Sequence, residues 1–436
     1  MPRIILSINA GSSSVKLSVY TFTTASSTPH QLAEASIEGL TAPPAKLKYT
    51  RGDHRIKGQE ITEKKITSQE DAFNYLVEKL LEDEGLPELK EKGDVEFACH
   101  RVVHGGDYGK AKVVDRRTYE RIERLSDLAP LHNSSSLSII RATHTTLPHT
   151  TNIAFFDTSF HATLPRHTYT YPIDPSLATH NKLRKYGFHG LSYSFITRRV
   201  STHLGTPSPS LNIIALHLGS GASVCCIKDG RSWDTSMGLT PLDGLPGATR
   251  SGSVDPSLVF HYTHDAGMLS RSSTKEMHIT QAEEILNKKS GWKALTGTTD
   301  FGHISAEAEK CERGESGDEM CRLAFDIFVD RVVGFVAGYW VKLGGRVDAL
   351  VFAGGIGEKG VYLRERVGKA LGCLGVVVDG GKNGDAGKGD EVVVDVGGEG
   401  AKCRVLVVKT DEQAEMAGGC VEGLGEWEKE REKGKA

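Results

Sequence analysis

The chain has 436 residues, 38% of them hydrophobic and 25% charged, with a formal net charge of −3. Such a length implies two or three domains at roughly 150 residues each, and scattered basic residues with no basic arm exclude nucleic-acid binding built on charge. No run reaches the ~18 apolar residues of a membrane span, and the apolar part of MPRIILSINAG is too short for a secretory signal, so a soluble cytoplasmic protein without a membrane or nucleic-acid partner is expected.

Taken in order, IILSINA, GSSS and VKLSVY read as strand, Gly/Ser loop and strand. Residues 22–31 (FTTASSTPHQ) read as a surface loop, and residues 69–92 carry helical spacing. A further helix is expected over 118–128, ending before APLHNSSS, where Asn133 and the serines offer caps for LSIIRATHTTL. IAFFDTSF reads as an apolar strand ending on Asp157, a plausible close to the first half. After the loop-rich stretch 165–186, NIIALHL, GSGAS and VCCIKDG repeat the opening pattern of strand, Gly/Ser loop and strand. Residues 320–343 form the most apolar helix candidate, suited to lie on a sheet or at a subunit interface. ALVF then enters AGGIGEKG, a glycine turn expected to lead into the helix VYLRERVGKAL. The low-complexity run 379–390 (DGGKNGDAGKGD) is expected to be a mobile loop, and the charged tail GEWEKEREKGKA a frayed helix end.

Two similar hairpins suggest a duplicated domain with phosphate-facing loops across a cleft, because glycine allows a tight backbone while Ser hydroxyls and backbone N–H groups hold phosphate oxygens. A lone glycine loop is weak evidence; three loops after apolar strands are not. No G-x-x-x-x-G-K-[ST] occurs, which excludes a P-loop NTPase. The eight cysteines form no C-x-x-C pair and read as buried free thiols. His100 and His104 are spaced for one helix face, but without H-E-x-x-H they do not make a zinc site.

Polar residues in apolar or glycine-rich settings are the candidates for chemistry: Arg101 in HRVVHGG, Asp157 in FFDTSF, His189 in KYGFHGLS, Arg250 in GATRSGSVDP, and Asp411 and Glu412 in KTDEQAEMA. Each has a bland alternative. Arg101 fits an ion pair, Arg250 a surface charge, His189 a satisfied core histidine, and Asp157 and Asp411 helix caps. Together with phosphate-type loops they form the inventory of phosphoryl transfer, where catalysis is positioning plus charge stabilisation and arginine grips phosphate or carboxylate bidentately.

In chain order stand NAGSSSVK (9–16), HRVVHGG (100–106), LAPLHN (128–133), FFDTSFH (155–161), YGFHG (186–190), HLGSGAS (217–223), DTSMGLTPLDGL (234–245), TRSGSVDP (249–256), AGGIGE (353–358) and TDEQ (410–413). On these motifs, over nearly its whole length, the chain resembles the acetate kinase family of the sugar kinase–actin superfamily. The resemblance implies an α/β fold of two duplicated ribonuclease-H-like (actin-like ATPase) domains with a central cleft. It implies a discontinuous first domain, 1–158 plus 410–436, and a nucleotide-binding domain, 159–409. It implies Mg²⁺ (or Mn²⁺) as cofactor, ATP/ADP and acetate/acetyl phosphate as substrates, and a homodimer. Asn9 and Glu412 would place the metal; Ser12, Ser14 and Lys16 would form the first phosphate loop, with Lys16 reaching the nucleotide. Arg101, Asp157, His189 and Arg250 would be catalytic. Val103, Leu131, Phe188 and Pro241, with Arg101, would take the acid. His217, Gly219, Ser220 and Gly221, then Asp300 and Phe301, then Gly355, Ile356, Gly357 and the following Glu358 would face the nucleotide.

Three departures from the family pattern stand out. Ser220 replaces Asn of HLGNG, the usual GTSH after the histidine reads Gly190, Leu191, Ser192 and Tyr193, and Gly302 replaces the basic residue of DxR. They predict a weaker hold on nucleotide with the acyl end intact. The activity expected is reversible phosphoryl transfer between ATP and acetate, with propionate or butyrate as alternative acids and pyrophosphate or phosphate as alternative phosphoryl partners.

Overall fold

The computed structural model describes residues 2–11, 13–25, 27–41, 43–125, 130–263, 265–273 and 278–433. It divides into two compact units, Met1–Ser159 with Asp411–Ala436, and Phe160–Thr410.

In the first unit, β1 (Arg3–Ala10), β2 (Ser14–Phe22), β3 (His30–Glu38), β4 (Lys46–Arg51), β5 (His54–Glu60), β6 (Val95–Val102), β7 (Lys112–Val113) and β8 (Thr151–Phe156) form one sheet. Its order is β5-β4-β3-β2-β1-β6-β8-β7. The second unit's sheet is built from β9 (Ile213–Leu218), β10 (Ala222–Lys228), β11 (Arg231–Thr235), β12 (Ala349–Ala353), β13 (Val393–Asp395) and β14 (Arg404–Val408). Its order is β11-β10-β9-β12-β14-β13.

The duplication is visible in these orders. Strands β3-β2-β1-β6-β8 match β11-β10-β9-β12-β14 position for position, an antiparallel meander continued by two parallel strands. Each second parallel strand needs a crossover, supplied by the helices Pro130–Thr146 and Val361–Ala370. The parallel strands are apolar along their length because both faces are covered; ALVFA of β12 is buried at every position. This is the ribonuclease-H-like duplication that the motifs imply.

Several expectations need correction. The helix over 69–92 is Gln69–Leu81, started by a Ser68–Asp71 capping box and followed by turns through Gly85. The second helix is Arg116–Leu125, and residues 126–128 of its expected span lie outside the described residues. Asn133 is not a cap: the helix starts at Pro130, and the fully buried Asn133 amide binds the His104 backbone instead. His100 lies in β6, not on a helix.

GGIGEK, after Ala353 ends β12, is itself the short helix Gly354–Lys359. The glycine-rich run after Asp379 is also helical over Gly380–Asp385, capped by Asp379 and anchored by a fully buried Asn383. As far as Lys433 the tail is docked rather than frayed, and residues 434–436 lie outside the described residues. Helix Leu424–Lys433 buries Trp427, whose indole N–H donates to the Cys420 carbonyl, and Glu428 and Arg431 pair with Arg3 and Glu96.

The helix expected over 320–343 is Glu319–Lys342; its buried face, from Cys321 to Trp340, packs into the second unit's core with strands of that sheet. All eight cysteines are free, and six are buried. No helix among the described residues is long and apolar enough to cross a membrane.

Candidate active site

In the first unit, functional side chains come from the same end of neighbouring strands. Asn9 on β1 faces Lys16 on β2, and Arg101 on β6 lies beside Phe155 of β8, two residues before Asp157. The Arg101 guanidinium donates to Asp157 through Nε (3.2 Å) and Nη2 (2.7 Å), and to Asn9 Oδ1 through Nη1 (3.3 Å). Asp157 is 1% exposed. Burial alone would lower the Arg101 pKa; the carboxylate outweighs it and holds Arg101 above its ordinary value. Guanidinium has five N–H groups, so these bonds leave an N–H on each terminal nitrogen for a substrate oxygen.

The HRVVHGG loop is pinned from two sides. Asn133 Oδ1 accepts from His104 N and its Nδ2 donates to His104 O, both at 3.0 Å, while Ser136 Oγ donates to the Arg101 carbonyl. Val103 is partly exposed on this loop. Leu131 falls in helix Pro130–Thr146, its side chain outside the described ones, and Ser12 also lies outside the described residues. Ser14 opens β2, its carbonyl accepting from Gly11 N.

Lys16 pairs with Glu34 at 2.8 Å on the half-exposed surface of β2–β3. Asp411 is a helix cap, accepting from Gln413 N and Ala414 N. Burial raises its pKa, against the pull of those bonds and of Lys16. Ser7 and Gln413 exchange hydrogen bonds that fix this helix on β1, which places Glu412 in its first turn. Asn9 and Glu412 offer hard oxygen donors, and no three His, Cys, Asp or Glu converge as a metal cage among the described residues. That donor set fits Mg²⁺, which takes one or two protein oxygens and keeps the rest of its shell on water and phosphate.

In the second unit the β9–β10 hairpin turns through Gly219, Ser220 and Gly221, and the Ser220 carbonyl accepts from Ala248 N. A Cβ on Gly221 would lie 1.9 Å from Arg250 Nη2, so the arginine rests directly on this glycine. No carboxylate pairs with Arg250 among the described residues, and burial pushes its pKa down to about 10. A desolvated cation without a counter-ion, laid on a glycine turn, is a site for an anion.

His189 takes the left-handed conformation (φ 59°) at the start of helix Gly190–Leu204. Its ring lies on that of His217, with centroids 4.2 Å apart, and its Nδ1 is 2.9 Å from Ser223 Oγ. The preceding Phe188 is buried, and its carbonyl is bonded to His161 Nε2. Pro241 is buried in the same unit.

Asp300 caps helix Phe301–Glu312 by accepting from Gly302 N and His303 N. The Phe301 ring belongs to the core, against Trp292 and Phe328. Gly354 has φ +72°, and a Cβ there would strike the Leu218 carbonyl at 2.7 Å, so this turn requires glycine. Gly355 faces open space.

The short helix carrying Gly355, Ile356 and Gly357 is held by Arg364, fully buried and bonded through Nη1 to the Gly357 and Glu358 carbonyls. Arg364 also binds Asn383 Oδ1 and Asn383 O. Sequence reasoning missed Arg364, Asn383, Ser223 and Tyr193. The first two have no motif of their own; Tyr193 stood out only as a departure from GTSH.

The description "Acetokinase family" matches residues 4–418. A probable acetate kinase of Chaetomium globosum is 52% identical, covering 98% of this chain and 99% of that protein. Among solved structures, a propionate kinase from Francisella tularensis superposes with a TM-score of 0.81 at 32% identity, covering 96% of this chain and 98% of that one. An acetate kinase from Porphyromonas gingivalis superposes with a TM-score of 0.77 at 30% identity, covering 95% and 98%. With the family match over residues 4–418 and relatives of this identity and coverage, the chain belongs to the acetokinase family of actin-like kinases.

Proposed function

We propose that the chain is an acetate kinase, transferring a phosphoryl group reversibly between ATP and the acetate carboxylate to give ADP and acetyl phosphate. The observation that carries this reading is Arg250, a guanidinium without a counter-ion on the Gly219–Gly221 turn. In-line transfer spreads negative charge over the phosphoryl oxygens. Arg250 and His189 answer that charge from the second unit. Arg101 is held in one orientation by Asp157 and binds the acid and the phosphoryl end. Bound through Asn9 and Glu412, Mg²⁺ would neutralise phosphate charge. Ser12, Ser14, Lys16 and the His217–Gly221 segment serve as phosphate loops, and Asp300–Phe301 and Gly355–Gly357 as the nucleotide side, where backbone rather than the Phe301 ring makes the approach.

The same reading treats 1–158 with 410–436 as the acyl-side domain and 159–409 as the nucleotide domain. It has the enzyme working in the cytoplasm as a homodimer. Exposed Phe260, Tyr262, Met268 and Leu269, close in sequence, support a surface for a second copy. Light scattering at micromolar concentration reads the dimer directly.

The test of the activity is acetate-dependent ADP formation from Mg-ATP, and its reversal with acetyl phosphate. Absence of both, with pyrophosphate or phosphate supporting turnover instead, would remove the nucleotide half and leave the acid half. Propionate is the second substrate reading, favoured by the Francisella propionate kinase likeness. Val103, Leu131, Phe188 and Pro241 are read as a methyl-sized pocket, and one methylene changes discrimination by about 1–3 kcal/mol. Propionate should turn over less efficiently than acetate, and Val103→Ala should narrow the gap. Butyrate matching acetate in the parent enzyme would refute the pocket.

A further inference from the structure

His189 Nδ1 faces Ser223 Oγ at 2.9 Å, and that same oxygen lies 2.5 Å from the Tyr193 hydroxyl. Ser223 and Tyr193 are both fully buried, so their hydroxyls bond within the protein. The geometry follows from the fold. Tyr193 follows His189 by one helical turn, its N–H donating to the His189 carbonyl, and Ser223 on β10 lies opposite His217 on β9.

The proton count favours one order, the one that leaves no buried hydroxyl proton without an acceptor. Among the described residues, Ser223 Oγ is the only acceptor within reach of the Tyr193 O–H. Burial and the nearby Cys225 raise the Tyr193 pKa well above its ordinary value, and the Ser223 hydroxyl and the His217 backbone oppose that only in part. Tyr193 therefore keeps its proton and donates it to Ser223. The serine has one proton of its own. Among the described residues its two polar neighbours are the tyrosine oxygen, already donating to it, and His189 Nδ1. The serine proton goes to Nδ1, which must then be the unprotonated nitrogen of a neutral imidazole.

We propose that Tyr193 and Ser223 are positioning residues that order protons toward His189, fixing it as the Nε2–H tautomer so that it presents a hydrogen-bond donor to the transferring phosphoryl group. The last step rests on the proposed contact of His189 with that group. The arrangement suits a donor of fixed direction, because an imidazole free to exchange tautomers would present a lone pair to phosphate oxygens part of the time. Tyr193 is also where this chain departs from GTSH.

The test compares kcat and KM for Ser223→Ala, Tyr193→Phe, His189→Ala and the Ser223→Ala/His189→Ala double variant. Ser223→Ala should lower kcat about tenfold, the scale of one net hydrogen bond, with KM for acetate and ATP little changed. Tyr193→Phe should act in the same direction but less. The double variant should be no slower than His189→Ala alone, since a residue acting through His189 has nothing left to act on. Additive losses, or parent kcat in Ser223→Ala, would overturn the relay's part in turnover.

The tautomer is read separately from the ¹⁵N spectrum of histidine-labelled enzyme, with His189 identified by its absence in His189→Ala. A protonated Nε2 and bare Nδ1 in the parent, mixed in Ser223→Ala, support the relay; a protonated Nδ1 in the parent overturns it. If the spectrum agrees but His189→Ala keeps parent kcat, the phosphoryl contact fails and the proton order stands.

Discussion

Arg101 and Arg250 carry the same charge in different settings, and this separates what their removal should do. Arg101 is tied to a carboxylate only 1% exposed. Arg101→Ala would leave Asp157 buried and unpaired, a loss of about 3–5 kcal/mol for a broken buried pair. Its activity and its thermal midpoint should fall together. Arg250 has no such partner, and its burial already works against its charge. Arg250→Ala should lower kcat by about 10²–10³-fold, the scale of one transition-state donor, while leaving the thermal midpoint unchanged or slightly raised. Scanning calorimetry beside steady-state kinetics checks both, and near-normal turnover in Arg250→Ala would remove the main support for the kinase mechanism. Arg101, Asp157, His189 and Arg250 stood out in sequence as candidates because each is a charged or polar residue inside an apolar or glycine-rich run. Ser223 closes the HLGSGAS motif, but its role was not legible, since its partners are 30 and 34 residues away.

At the scale of elements, the helix Gly354–Lys359, proposed to face the nucleotide, depends on Arg364, whose side chain replaces solvent for the Gly357 and Glu358 carbonyls. The other end of the same guanidinium holds Asn383, and Asn383 Nδ2 returns a bond to the Val361 carbonyl. This is why a glycine-rich run that composition marks as mobile is ordered: one buried amide and the Asp379 cap suffice to fix it. Composition reports average preference and cannot see a partner 19 residues away. Asn383→Ala should cost about 1–3 kcal/mol, the penalty for a buried donor left unmade. It should raise the KM for ATP more than that for acetate. Equal changes in both KM values would show that the clamp does not set the nucleotide side. A second element-level prediction concerns Gly302. A Cβ there meets only Asp300 Oδ1, at 3.1 Å, so a longer side chain has room beyond it. Gly302→Arg should lower the KM for ATP and leave that for acetate nearly unchanged; no change in either would place Gly302 away from the nucleotide.

At the scale of the whole molecule, each unit encloses a histidine that must stay neutral. In the first unit His100 is 1% exposed on β6, with Nε2 2.8 Å from Asn152 Oδ1. In the second, His161 is fully buried between Ser232 Oγ at Nδ1 and the Phe188 carbonyl at Nε2. Burial pushes each down to about 4; for His161 the Phe188 carbonyl and Asp234 pull upward and Lys185 adds to the lowering, and for His100 Asn152 pulls upward. An unfolded histidine titrates near 6.5, so between about pH 6.5 and 4 the unfolded chain binds protons that the folded chain refuses. Stability is therefore full above pH 6.5 and declines as pH falls. The slope approaches about 1.4 kcal/mol per pH unit for each histidine. Carboxylates with lowered values, such as Glu96 beside Arg3, begin to contribute only near their unfolded value of 4.5, which leaves pH 6.5 to 5 to the histidines. Urea midpoints across that window should fall, and His100→Gln should remove about half of the slope. His161 should reveal itself differently. Its Nε2–H holds the carbonyl of Phe188, next to His189, so its protonation reaches the loop proposed to be catalytic as well as the fold. Acid inactivation should consequently be less steep than the parent's in His161→Gln, if that variant keeps the bond to Phe188, and unaltered in His100→Gln. A flat urea profile from pH 7 to 5, or equal effects of the two substitutions on activity, would sink this assignment.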